Sequence, residues 1–156
     1  MRSAGIIYGL IMNIKKIIIH CSAVGPQQTS SAAQIDAWHR AKGLQMIGYH
    51  YVIRRDGTVE RGRPEGMVGA HTQGQNKNSV GISYEGGLIE EKDLMSEKVQ
   101  LKPADTRTPA QKAALLKLLC ELMGRYPRAT IHGHNEFAAK ACPCFDAHAE
   151  YAGLQP

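Results

Sequence analysis

Residues 132–144 read HGHNEFAAKACPC, a stretch of thirteen positions that holds two imidazoles, two thiols and one lysine. Zinc accepts neutral histidine nitrogen and cysteine thiolate together, and a hydrolytic zinc site needs about three protein ligands plus a position left for water. A further ligand must then come from elsewhere in the chain. His20 is the candidate: it ends the apolar run Ile14 to Ile19 (IKKIII), where a buried strand delivers its last side chain at the edge of a sheet. The segment ATIHGH (129–134) has the same character, a short strand leading into the loop that carries the cluster. A closed structural site of His132, His134, Cys142 and Cys144 is the rival arrangement, since alternate strand residues His132 and His134 share a face. Two features oppose it. The Cys-Pro-Cys spacing is tighter than the roughly two to four intervening residues usual for structural zinc, and His20 is left without a role.

Outward from these two segments the pattern alternates between strand and helix, which predicts an α/β domain with helices flanking a mixed central sheet. Ser30 or Ser31 caps a helix over 32–42 whose apolar stripe is Ile35, Trp38 and Ala41, with Gly43 in the position that favours left-handed backbone. HYVI and TVERG flank an Asp56-Gly57 turn, the signature of a hairpin. Thr108, Pro109 and Gln111 open a second helix that supplies Leu115, Leu118, Leu119 and Leu122 to the core and stops at Gly124. Cys120, among those leucines, reads as a core thiol. The charged stretch from Leu88 to Arg107 reads as an exposed loop or flap. His39 and His50 read as structural, and Cys21 as a small residue facing away from His20. Strand alternation puts Tyr49 and Tyr51 opposite His50, and the residues alone do not say which set faces the metal.

Five blocks in register now carry a resemblance: IIIHCSA (17–23), WHRAKG (38–43), IGYHYVIRRDGTVERGR (47–63), VGAHTQGQNKNSVGI (68–82) and HNEFAAKACP (134–143). Together, over Ile14 to Asp146, they resemble the zinc-dependent N-acetylmuramoyl-L-alanine amidases of type 2, a family that includes phage lysozyme-amidases and, more distantly, peptidoglycan recognition proteins. The resemblance implies a single amidase domain over residues 14–156, preceded by an extension at 1–13, with one zinc ion held by His20, His134 and Cys142. It selects Tyr49 and Lys140 as the catalytic pair and His71, Asn76, Asn78 and Ser79 as contacts for glycan and peptide. The implied reaction is hydrolysis of the amide between N-acetylmuramic acid and L-alanine in peptidoglycan. A fixed ammonium such as Lys140 suits that reaction, because amide hydrolysis builds negative charge on the carbonyl oxygen.

Composition is compatible with this reading without demanding it. A chain of 156 residues makes one domain and buries about two thirds of its unfolded surface without staples. Cysteines at 21, 120, 142 and 144 do not have the spacing of a secreted disulfide framework. The net charge of +5 leaves cell-wall carboxylates, membrane headgroups and nucleic acid open on charge alone. A nucleic-acid enzyme fits poorly, because the basic residues are dispersed and only one tryptophan, six tyrosines and two phenylalanines could stack on bases. Arg54, Arg55, Arg61 and Arg63 read as a solvated hairpin face that could also meet stem-peptide carboxylates, and Glu85 as a strand end or an orderer of the site. The opening MRSAGIIYGLIM lacks a small-residue cleavage site before Lys15 and Lys16, so it is not read as a signal peptide, and Met12 is an alternative start. Taken with the resemblance, the lack of a signal peptide implies an endolysin or prophage lysis enzyme, a monomer without membrane or nucleic-acid partners, that waits in the cytoplasm for lysis. A non-catalytic peptidoglycan-binding module and a polymerase-inhibiting interaction protein are the other function classes; retention of Cys142 argues against the first.

Overall fold

The structure, a computed structural model, describes residues 13–156. The expectations for the start site, a signal peptide and the extension fall on residues outside that range, apart from Asn13. In chain order the elements are β1 (Lys16–Cys21), α1 (Ala32–Ala41), β2 (Tyr51–Ile53), β3 (Val59–Arg61), β4 (Ser79–Tyr84), β5 (Leu88–Lys92), β6 (Val99–Pro103), α2 (Pro109–Arg125), β7 (Thr130–Gly133), a 3-10 turn (His134–Glu136) and the short α3 (Ala147–Glu150). The central sheet has the order β3-β2-β4-β1-β7 and is parallel except for β3, which forms the expected hairpin with β2. Gly57 at the turn has φ +88°, a left-handed backbone that glycine adopts without strain.

Strands buried on both faces read as continuous apolar runs, and Ile17, Ile18 and Ile19 of β1 are completely buried. One sheet face, made of Ile17, Ile19, Cys21, Tyr51, Ile53, Val80, Ile82, Tyr84 and Ile131, packs on the leucines of α2. Those leucines, 115, 118, 119 and 122, recur at helical spacing, and the helix opens on a capping box between Thr108 and Gln111. It continues through Gly124 to Arg125, one residue past the predicted stop. The other sheet face is covered only in part by a small cluster of Ile35, Ile47 and Val52 under α1.

Three expectations are corrected here. Cys120 is exposed: the buried face is centred on 119, and one residue further along turns the side chain about a quarter of the way round the helix, into solvent. Of the predicted α1 stripe only Ile35 is buried, while Trp38 and Ala41 face outward, because Asp36 and His39 turn inward to bind the backbone N–H groups of Ile47 and Gly48. Ser31 provides the α1 cap, and Ser30 is buried against Glu85. The stretch 88–107 is not irregular; β5 and β6 pair antiparallel as an exposed hairpin. Its base is anchored by Arg107, whose buried guanidinium meets Asp105 and Glu150 and lies 3.4 Å from the centre of the Phe145 ring.

Candidate active site

The parallel pairing of β1 with β7 sets Ile19 beside Gly133, so the residues that follow, His20 and His134, emerge together at the carboxyl ends of two adjacent strands. Their Nδ1 atoms lie 3.1 Å apart, and the Sγ of Cys142 lies 3.9 Å from His20 Nδ1. One donor atom from each of the three residues lies within 4.8 Å of the others. His20 is fully buried, which holds its pKa well below the ordinary histidine value. His134 is lowered by burial and by the nearby Lys140 ammonium. The Cys142 thiol is also lowered, by hydrogen bonding from Cys21, whose backbone N–H donates to Sγ at 3.3 Å. Two neutral imidazole nitrogens facing each other beside an acidified thiol present converging lone pairs, which a soft-to-borderline cation suits.

The far side of His20 is held as firmly. Its Nε2 lies 3.0 Å from His71 Nδ1 and 3.2 Å from the Thr72 hydroxyl. His71 Nε2 in turn meets Ser79 Oγ at 3.3 Å, and the Ser79 hydroxyl donates to the Asn76 carbonyl. Burial pushes the His71 pKa down to about 3, so this chain of groups is neutral. Room for the His71 ring is made by Gly81, where an added Cβ would come within 2.5 Å of it. The Asn76 side chain accepts from the backbone N–H groups of both His71 and Thr72, which locks the loop.

Of the three candidate ligands, His134 opens onto a cleft of about 500 Å3, lined among others by Leu44, His71, Thr72, Asn76, Phe137 and Lys140. Of the four residues expected to contact substrate, His71 and Asn76 line this cleft and Asn78 and Ser79 do not. Asn78 takes φ +58° in the turn below, where its carbonyl accepts from Lys15 and Lys16, and Ser79 is buried against His71. Thr72, Leu44 and Phe137 were not singled out from the sequence; the pairing of Thr72 with His71 was the available signal. Tyr49 sits with its ring centre 5.0 Å from that of His20, and burial raises its phenol well above the ordinary tyrosine value. Tyr51 points the other way, into the α2 face, although strand alternation put it with Tyr49. The reason is that β2 begins only at Tyr51, so Tyr49 precedes the regular pleat. His50, expected opposite the tyrosines, stands beside His71 and ties Gly81 N to Met67 O.

The closed four-residue arrangement does not form. His132 turns to Thr130, Glu136 and His148, and Cys144 Sγ lies 3.9 Å from Cys21 Sγ and donates to the Gly87 carbonyl. The Cys21 side chain faces the α2 side, away from His20. Most of the arginine group is structural: Arg54 pairs with Glu60 and Glu85, Arg55 binds the carbonyls of Gly25 and Gln28, and Arg63 binds those of Ile47 and Val68. Glu85 accepts from the Ser30 and Arg55 backbones, joining the hairpin to the loop after β1, and makes no contact with the three candidate ligands.

A parallel-centred sheet with two histidines and a cysteine at its carboxyl edge, a lysine on the cleft wall and a protonated tyrosine beside them is an arrangement suited to an amide-cleaving hydrolase. The family model described as N-acetylmuramoyl-L-alanine amidase matches residues 11–145, and the chain belongs to this family. It is 42% identical over 130 residues to a protein named endolysin from Escherichia phage T7, covering 83% of this chain and 80% of that protein. The solved structure of the N-acetylmuramoyl-L-alanine amidase LysC from Clostridium intestinale superposes with a TM-score of 0.72 at 30% identity, covering 94% of this chain and 87% of that one. The ectodomain complex of the peptidoglycan recognition proteins LCa and LCx, solved with tracheal cytotoxin bound, gives a TM-score of 0.65 at 26% identity, covering 85% of this chain and 76% of that one.

Proposed function

We propose that this amidase cuts the bond joining the lactyl carbonyl of N-acetylmuramic acid to the L-alanine of the stem peptide, using zinc held by His20, His134 and Cys142. The observation that supports it is the convergence of three donor atoms within 4.8 Å, with the Lys140-lined cleft opening onto His134. When bound, zinc supplies a Lewis acid that polarises a carbonyl and makes water acidic near neutral pH. The chain's own residues do the rest. With His20 Nδ1 given to the metal, the ring proton sits on Nε2 and donates to His71 Nδ1 or the Thr72 hydroxyl, which sets the ring's angle. Ser79 therefore acts through the chain that orients His20, whereas His71 both orients His20 and lines the cleft. Lys140 places its ammonium over the scissile oxygen and stabilises the negative charge that develops there. Tyr49 stays protonated, so it can orient the attacking water and pass a proton toward the departing amine.

The peptidoglycan of a bacterial cell wall is the substrate, and the relatives named endolysin give the reading its biological setting: a wall-lysing enzyme that waits in the cytoplasm until lysis. No helix among the described residues is long and apolar enough to cross a membrane. Digestion of purified peptidoglycan tests the bond directly. Mass spectrometry should find stem peptides with a new free L-alanine amino terminus and muramic acid with a free lactyl carboxylate, without new reducing ends. A zinc chelator should stop release and added zinc restore it. Intact glycan-linked stems after long digestion would leave a binding module as the better reading.

A further inference from the structure

We propose that His132, Glu136 and His148 form a second transition-metal site, separate from the first, at the free edge of β7. One donor atom from each of these residues lies within 4.8 Å of the others. They come from three elements: His132 from β7, Glu136 from the 3-10 turn after it and His148 from α3. The two imidazole rings stack with centres 5.6 Å apart and planes 25° from parallel, and His132 Nδ1 lies 2.9 Å from Glu136 Oε1.

Each side chain is held by its non-ligating end, the arrangement that orients metal ligands in advance. Glu136 Oε2 accepts from the Gly133 backbone N–H at 2.7 Å, which leaves Oε1 for a cation. His132 Nε2 meets the Thr130 hydroxyl at 2.6 Å, which leaves Nδ1. His148 Nδ1 lies 3.2 Å from the Ile131 carbonyl, and its Nε2 has no hydrogen-bond partner among the described residues. Gln155 braces the same strand edge through Ile131 N and O. A cation would take the place of the proton shared by His132 and Glu136.

Two imidazoles and one carboxylate select Zn2+, Ni2+, Co2+ or Cu2+ over Mg2+ and Ca2+, which prefer all-oxygen shells. Without a thiolate, and with Glu136 and His148 exposed, this site binds more weakly than the first. Its occupant would bridge the turn that contains His134 to α3, holding both ends of the loop that carries Lys140 and Cys142. This function does not depend on the amidase reading.

The test is a titration of the full chain, already loaded with one zinc, using Ni2+ alone and then Co2+ alone. The expected result is one further equivalent. The cobalt ion taken up beside the zinc should add d–d absorption but no sulfur-to-cobalt charge transfer, which distinguishes it from an ion at the cysteine site. His148→Ala and Glu136→Gln should each lose the second equivalent while keeping the first zinc, the melting temperature and basal amidase turnover. Cys142→Ser should keep the second equivalent. The proposal is overturned if the intact chain takes up no further ion at millimolar Ni2+, if both edge variants still bind it, or if the added cobalt shows sulfur charge transfer.

Discussion

The two faces of the central sheet use the same strands for opposite purposes. On the α2 side, Ile17, Ile19, Val80 and Ile82 meet four leucines and present no polar side chain to one another. On the other side, the alternating positions are His20, Ser79, Gly81 and Ser83, with His71 packed over them. Ser83, the register partner of His20, carries the sole buried side-chain oxygen without a hydrogen-bond partner among the described residues. An apolar face gains stability in proportion to the area it removes from water. A face that must hold neutral imidazoles and a thiolate gives up some of that gain for hydrogen-bonded order, and glycine at 81 shows how tightly the space is allotted.

If this division is right, substitutions on the two faces should separate activity from stability. Cys142→Ser should have the largest effect: zinc content and peptidoglycan hydrolysis both fall to background in a folded protein, as read by metal analysis and turbidity assay. A variant that keeps stoichiometric zinc would break the assignment of that ligand. Leu119→Ala, on the opposite face, should cost about 2–5 kcal/mol in denaturant unfolding while turnover per folded molecule stays near wild type. Lys140→Ala and Tyr49→Phe should keep zinc and thermal stability but slow hydrolysis by roughly 10²–10³; near-normal kcat in both would remove them from the mechanism. The smallest effect belongs to His71→Ala, which should weaken zinc affinity by about 10–100-fold through loss of the partner that orients His20. Unchanged affinity there, measured by competition with a chromophoric chelator, would mean that Thr72 alone fixes the ring.

Local chemistry made much of this protein readable in one dimension. Apolar continuity in IKKIII, the Asp56-Gly57 turn and the capping box at Thr108 each act over a few residues, so β1, the β2-β3 hairpin and the start of α2 follow from propensity and hydrogen-bonding rules. The grouping of His20 with His134 and Cys142 was legible because His20 ends an apolar run and because five blocks in register resembled one family; the parallel pairing of β1 with β7 that brings the two histidines together was not. The sequence by itself did not determine which side chains turn inward. Cys120 and Trp38 look like core residues by composition, yet rotation about the helix and inward hydrogen bonding by Asp36 and His39 put them outside. Tyr49 and Tyr51 part company because the pleat begins between them. His132 leaves His134 for Glu136 and His148 because the strand stops at Gly133, and a 3-10 turn redirects the chain. Ser79 moved from substrate contact to a support for His71 for the same kind of reason: hydrogen-bond partners 3 Å away are set by packing between distant segments, and sequence spacing carries no direct record of it.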